Sequence, residues 1–220
     1  MHTSTNVSPV AEESSDRRQT TRLKEPRTES PTAQRILEAA KRILTERGYQ
    51  HFTLKEIEEE SGEFRALVAY YFGNKRGLVQ AVVDSLMDDE DADLRAELEA
   101  IADPSERVAR LLDAQHEISA DWRGFRAFYE LLPHIMQDEL MRARLAESYR
   151  SSRELDRRCL ESASEGMDGA VLDRLAALSV AVVEGLAVQY AADRERFDHD
   201  GTFRLWRSMM VDRLKRPPTE

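Results

Sequence analysis

The chain has 220 residues, 41% hydrophobic and 34% charged, with a net charge of −10. This is enough apolar material for one substantial core, or for a small and a larger unit that share a boundary, and it excludes a wholly unstructured chain. The single cysteine, Cys159, excludes an intrachain disulfide, and with no leader pattern at the N-terminus the expected compartment is the reducing cytoplasm.

Residues 1–31 are rich in Ser, Thr, Pro and charge, have little to bury, and are expected to form a disordered tail. They hold five basic and five acidic residues, and Arg17, Arg18, Arg22, Lys24 and Arg27 form a local basic patch. Such an arm either lies along a minor groove or is an inert solvated tail. The first helix starts at Ser30-Pro31, carries Ile36, Leu37, Ala40, Ile43 and Leu44 at helical spacing, and stops at Gly48. Thr53-Leu54-Lys55-Glu56 reads as a capping box in which hydroxyl and carboxylate satisfy reciprocal amides, so a second helix runs from Thr53 to Ser61-Gly62. A third spans about 64–72. Asn74 caps a fourth, with Leu78, Val79, Val82, Val83 and Leu86 on its buried face.

Two short helices joined at a glycine turn, with a longer helix before them, make a helix-turn-helix. Residues 32–83 carry a charge of +1 and the remainder −11, so an anionic polymer is tolerated at one end only. Ile36, Ala39, Ala40, Gly48, Thr53, Ile57, Gly62, Tyr71-Phe72, Lys75 and Leu78, in that order, make residues 35–83 resemble the N-terminal domain of the tetracycline-repressor (TetR) family. The resemblance implies an all-α, two-domain chain of nine helices. Residues 32–83 would bind operator DNA, and residues 84–220 would bind an effector and dimerise. Departures from the family pattern stand at Glu58, Glu63, Phe64 and Ala69, and the run Glu58 to Glu60 either repels phosphate or lines the solvent side of the second helix.

Within that frame Thr53, Lys55, Tyr70, Tyr71 and Lys75 are expected to hold phosphates. Phe64, Arg65, Ala66 and Leu67 begin the recognition helix, where Arg65 suits guanine and the apolar pair suits thymine methyls.

Beyond the fourth helix no strand pattern stands out, and helices are expected at about 75–101, 104–119, 122–136, 138–164, 168–193 and 199–215. Asp88-Asp89-Glu90-Asp91-Ala92-Asp93 lacks the glycine and terminal glutamate of a calcium loop and reads as a solvated acidic face. His116, Trp122, Phe125, Tyr129 and His134 make an aromatic surface with polar tips, which is either an effector pocket or plain core. The apolar run Val171 to Val188 is interrupted by Asp173, Arg174, Ser179 and Glu184, too often for a membrane span. Its apolar residues point in nearly all directions. That favours a homodimer in which Leu178, Val182 and Leu186, with Trp206 and Met210 of the last helix, meet their copies; a monomer with this helix at its centre is the alternative.

Hydrolase, nucleotide-binding and zinc-protease signatures are absent from the sequence, and His116, His134 and Cys159 lack the short paired spacing of a zinc site. No enzyme, cofactor or metal is expected. The reading is a cytoplasmic ligand-responsive repressor of double-stranded operator DNA, released by a small molecule. The alternative is a dimeric interaction protein of the same fold that has lost operator binding.

Overall fold

The computed structural model describes residues 30–88, 91–164 and 166–215, all of them in helices or short connections. The tail, residues 1–29, lies outside the described residues, as do Asp89 and Glu90 of the acidic run. Ten α-helices follow in order: α1 Pro31–Arg47, α2 Leu54–Ser61, α3 Arg65–Phe72, α4 Lys75–Asp88, α5 Asp91–Ala100, α6 Pro104–Ala120, α7 Trp122–Gln137, α8 Glu139–Ser162, α9 Gly169–Ala192 and α10 His199–Lys215. A 3-10 turn at Tyr49–His51 joins α1 to α2.

The segment expected as one helix over 75–101 is described as α4 and α5, and Asp89 and Glu90 between them lie outside the described residues, so ten helices are described where nine were expected. Elsewhere the starts follow local chemistry. Asp103, Asp121, Asp138 and Asp168 each accept backbone N–H bonds at the heads of α6, α7, α8 and α9. Asn74 Oδ1 accepts from Gly77 N at 3.0 Å.

Three apolar clusters hold the helices. The largest gathers Ile36, Ile43 and Leu44 of α1, Ile57 of α2, Val68 and Phe72 of α3 and Leu78 of α4, closed by Leu131 and Ile135 of α7 and Met141 and Leu145 of α8. Full burial of each aliphatic side chain is worth about 1.5–3 kcal/mol, so α7 and α8 stabilise the N-terminal helices as well as their own end. A second cluster joins Val108 and Leu112 of α6, Leu160 of α8, Leu172 of α9 and Met210 and Leu214 of α10. A third joins Leu98, Leu111, Leu155 and Cys159. Burial pushes the Cys159 thiol up to about 11, so it is a core residue and no nucleophile.

Candidate nucleic-acid interface and effector cavity

Gly62 makes the turn between α2 and α3 at φ 71°, a conformation that glycine adopts without strain. At the start of α2 the Thr53 hydroxyl accepts from Glu56 N at 3.2 Å. The reciprocal half of the expected capping box is replaced: Thr53 N donates to His51 O, while the Glu56 carboxylate meets Arg47 at 2.8 Å and His51 Nδ1 at 2.9 Å. A guanidinium within reach is a stronger partner than an amide.

The remaining positions expected at DNA divide by exposure. Lys55, Arg65, Ala66 and Tyr70 are exposed, and Phe64 is 74% exposed and supplies no side-chain cap to α3. Leu67 and Tyr71 turn partly inward and pack on the core, and Tyr71 Oη accepts a bond from the Ser30 hydroxyl at 3.1 Å. Lys75 also differs from a free phosphate clamp. Its Nζ lies 4.6 Å from the centre of the Tyr49 ring and 5.5 Å from that of Phe52, and burial moves its pKa below the usual lysine value.

The glutamates that departed from the family pattern are matched by arginines across the unit. Glu63 accepts from Arg35 at 2.8 Å, Glu60 bridges Arg42 at 3.0 Å and Arg47 at 2.7 Å, and Glu58 lies 3.6 Å from Arg65. Glu59 stands in solvent, 3.6 Å from Lys55. The expectation of a solvated acidic face therefore holds for Glu59 alone; Glu58 and Glu60 are half-buried against arginine.

Between the middle helices lies a cavity of about 220 Å³. Leu111 and Ile118 of α6, Phe125 and Phe128 of α7, Leu145 and Leu155 of α8 and Val180 and Val183 of α9 form its apolar wall, with Leu86 and Leu94 beside them. Gln115, Asp121, Ser148, Tyr149, Ser152, Asp156 and Glu184 add polar groups, and among the described residues the lining contains no Lys, Arg or His. A buried relay runs from Ser179 Oγ to Gln115 Oε1 at 2.9 Å and from Gln115 Nε2 to Asp156 Oδ2 at 2.9 Å. Tyr149 Oη donates to the Glu184 carboxylate, and Tyr129 Oη to the Glu184 carbonyl at 3.3 Å. Burial raises the Glu184 carboxyl above the usual range, lifts the Tyr149 phenol strongly, and pushes Tyr129 up to about 12.

Of the five residues expected in a pocket, Phe125 lines the cavity and Tyr129 braces its Glu184 wall. The other three lie elsewhere. His134 comes nine residues after Phe125, half a turn out of phase on the helix, and lies tilted against Tyr49 with ring centres 3.7 Å apart. Trp122 lies under Arg194, 4.6 Å away, and His116 faces α10. Sequence reading missed the α8 and α9 side of the cavity. Its signals were Ser148, Ser152 and Asp156 recurring every four residues on α8, and Glu184 amid the apolar run of α9.

Helix α7 touches both sites. Its Phe125 and Phe128 face the cavity, whereas Glu130 Oε2 accepts from Tyr49 N at 2.9 Å and His134 holds the Tyr49 ring. Pro133 falls inside the helix between these contacts. Arg76 reaches Asp138 at 2.6 Å, tying α4 to the start of α8. The Asp138 carboxyl lies below its ordinary pKa, first because the Met141 amide donates to it and also through Arg76.

On α9 and α10 the residues expected at a dimer contact also divide. Leu178 is 53% exposed and Val182 is half-buried, but Leu186 and Met210 are buried within their own chain and Trp206 is half-buried there. A spacing of four advances 400°, so each step rotates 40° from the last, and the stripe has turned inward by Leu186. The outward face instead carries Leu178, Val188, Leu205 and Met209.

Residues 36–82 match the family model described as bacterial regulatory proteins, tetR family. The HTH-type transcriptional regulator TtgR of Pseudomonas putida is 31% identical over 201 residues, covering 85% of this chain and 93% of that protein. A TetR transcription regulator from Haloarcula marismortui superposes with a TM-score of 0.71 at 21% identity, covering 83% of this chain and 97% of that one. The transcriptional regulator FadR from Bacillus subtilis, solved with stearoyl-CoA, gives a TM-score of 0.63 at 14% identity, covering 81% and 97%.

Proposed function

This chain belongs to the tetR family of bacterial regulatory proteins, and from that premise we propose that residues 32–83 bind operator DNA while the helices beyond them bind a small molecule that releases it. The relatives are named as transcriptional regulators, and no catalytic role is proposed. Among the described residues no helix is long and apolar enough to cross a membrane, and the cytoplasm, where its operator would be, is the proposed location.

The observation that carries this reading is the sharing of α7. One helix places Phe125 and Phe128 against the cavity and Glu130 and His134 against the corner before α2. A ligand that displaces Phe125 and Phe128 acts through the same rod on Tyr49 and, through its ring, on Lys75. Ligand and DNA then favour different positions of one element, which is the linkage that an effector requires. The cavity has apolar walls and buried hydrogen-bonding groups, as small-molecule sites do.

Two recognition helices would be presented to a two-fold operator by a homodimer formed through the outward face of α9 and α10. The alternative of an interaction protein without operator binding rested on Glu58, Glu63 and Ala69. Glu58 and Glu63 are matched by arginines, which removes the repulsive part of that motive, and the departure at Ala69 stands.

A mobility-shift titration of the full chain on the DNA upstream of its own gene tests the reading. Arg65→Ala should cost about 1–3 kcal/mol on the operator and leave binding to random DNA nearly unchanged. Equal losses on both would place Arg65 at the phosphate backbone, and no shifted band with any upstream fragment would reject operator binding.

A further inference from the structure

Two histidines and a carboxylate meet where α6 packs against the first turn of α10, outside both the cavity and the helix-turn-helix. His116 Nε2 lies 2.9 Å from Asp200 Oδ1, and His199 Nδ1 lies 3.6 Å from the same oxygen. One ligand atom from each of the three residues falls within 4.8 Å of the others. His199 is only 4% exposed, with Tyr190, Phe197 and Phe203 around its ring.

Ser119 determines where the His199 proton sits. Its hydroxyl has one hydrogen, directed at the His116 carbonyl oxygen 2.9 Å away, so Ser119 Oγ accepts from His199 Nε2, also at 2.9 Å. Neutral His199 therefore carries its N–H on Nε2 and turns the lone pair of Nδ1 toward the Asp200 carboxylate. Two acceptors face one another, and 3.6 Å is too long for a hydrogen bond. No lysine or arginine among the described residues pairs with Asp200. A cation between the three atoms turns this opposition into attraction.

We propose that His116 Nε2, His199 Nδ1 and Asp200 Oδ1 bind a first-row divalent metal ion of the zinc class. Ligands about 2.0–2.1 Å from a tetrahedral zinc ion lie roughly 3.3 Å apart, against 2.9 and 3.6 Å from Asp200 Oδ1 to the two ring nitrogens, which themselves lie within 4.8 Å of one another. Two imidazoles and one carboxylate select zinc, cobalt or nickel over magnesium and calcium, which prefer all-oxygen sites. Three protein ligands leave the fourth position to water on the open side, where Asp200 is exposed. Ser119 acts as the outer partner that orients a ligating imidazole through its other nitrogen. The ion braces α6 against α10 beside Gln115 and Ile118, which line the cavity on the same helix.

The test uses the full, untagged chain in a His2→Ala background, without DNA, so its outcome is independent of operator binding. Zn²⁺ titrated by calorimetry should bind at one ion per chain, and Co²⁺ should develop the visible absorption of a tetrahedral site. At a hundredfold excess over Kd, zinc should raise the thermal midpoint by about 5–10 °C, while Mg²⁺ leaves it unchanged. Asp200→Asn alters an exposed side chain and should weaken zinc binding by roughly tenfold or more, as should His116→Ala. A chain that takes up no zinc, or equal zinc affinity in both variants and the parent, overturns the proposal. Nitrogen NMR showing both ring nitrogens of His199 protonated at neutral pH in the presence of zinc would also overturn it, assigning the cluster to a plain ion pair.

Discussion

In α1 to α4 the aliphatic side chains Ile36, Ile43, Leu44, Ile57, Val68 and Leu78 are wholly inaccessible, whereas α9 and α10 leave Leu178, Val188, Leu205 and Met209 between 43% and 63% exposed. The N-terminal unit covers its core with polar cross-links, Arg35 to Glu63 and Arg42 and Arg47 to Glu60, and the aromatic groups it exposes, Phe64 and Tyr70, stand just before α3 and in its last turn. The C-terminal pair is also cross-linked, Arg157 to Asp173 and Arg207 to Asp113, but among the described residues these ion pairs leave its four exposed apolar side chains uncovered. One surface is complete in water and ready for a charged partner; the other is apolar enough to call for a protein partner.

Leu178→Glu tests that contrast with the largest expected effect. A carboxylate buried at a subunit contact without a partner costs about 3–5 kcal/mol, so light scattering should show a folded monomer and operator affinity should fall with the loss of paired half-sites. Leu186→Ala, two turns along the same helix, should instead lower the stability of the subunit fold, because Leu186 is already inside. A Leu178→Glu protein that remains dimeric would remove this face from the contact.

Gly77→Ala probes the other end. A Cβ at Gly77 would come 1.9 Å from the Phe72 carbonyl oxygen, so α4 packs against the end of α3 only because that side chain is missing. The variant should lose about 3 kcal/mol in urea unfolding, and operator binding should drop because α3 is displaced. Unchanged stability would mean that the α3 to α4 approach is looser than described.

Smallest is the effect of Glu184→Gln. Burial raises the Glu184 carboxyl above its ordinary value of 4.5, so the folded state holds the proton more tightly than the unfolded chain. Its contribution is most favourable below 4.5 and declines as pH rises through the folded pKa. The amide can still accept from Tyr149, so Glu184→Gln should be slightly more stable than the parent near pH 8, and the two melting curves should converge as pH falls toward 4.5. An advantage that grows on acidification would reverse the assignment.

What could be read from the chain was local. Thr53 and Asn74 act on amides within a few residues of themselves, and Gly62 makes the turn after α2, so α2 and α4 begin where their caps lie. Features that depend on rotation or on meetings between distant helices were less legible. Leu178, Val182 and Leu186 look like one stripe until the 40° drift per step is followed. The cavity borrows Asp156 and Glu184 from helices remote from the aromatic run, and His116 meets Asp200 across 84 positions. Gly77 resembles any helical glycine until the Phe72 carbonyl is placed beside it.

Pro133 has a mechanical corollary. It offers no N–H to the Tyr129 carbonyl, so α7 lacks one rung of its ladder between Phe128, which faces the cavity, and His134, which grips Tyr49. A rung of that kind contributes about 1 kcal/mol, and without it the rod is compliant at one level and stiff on either side. Under the proposed linkage, a push on the cavity half would be delivered as a change of angle at Tyr49, and a few degrees at that pivot, carried along the length of α2 and α3, would displace the tip of α3.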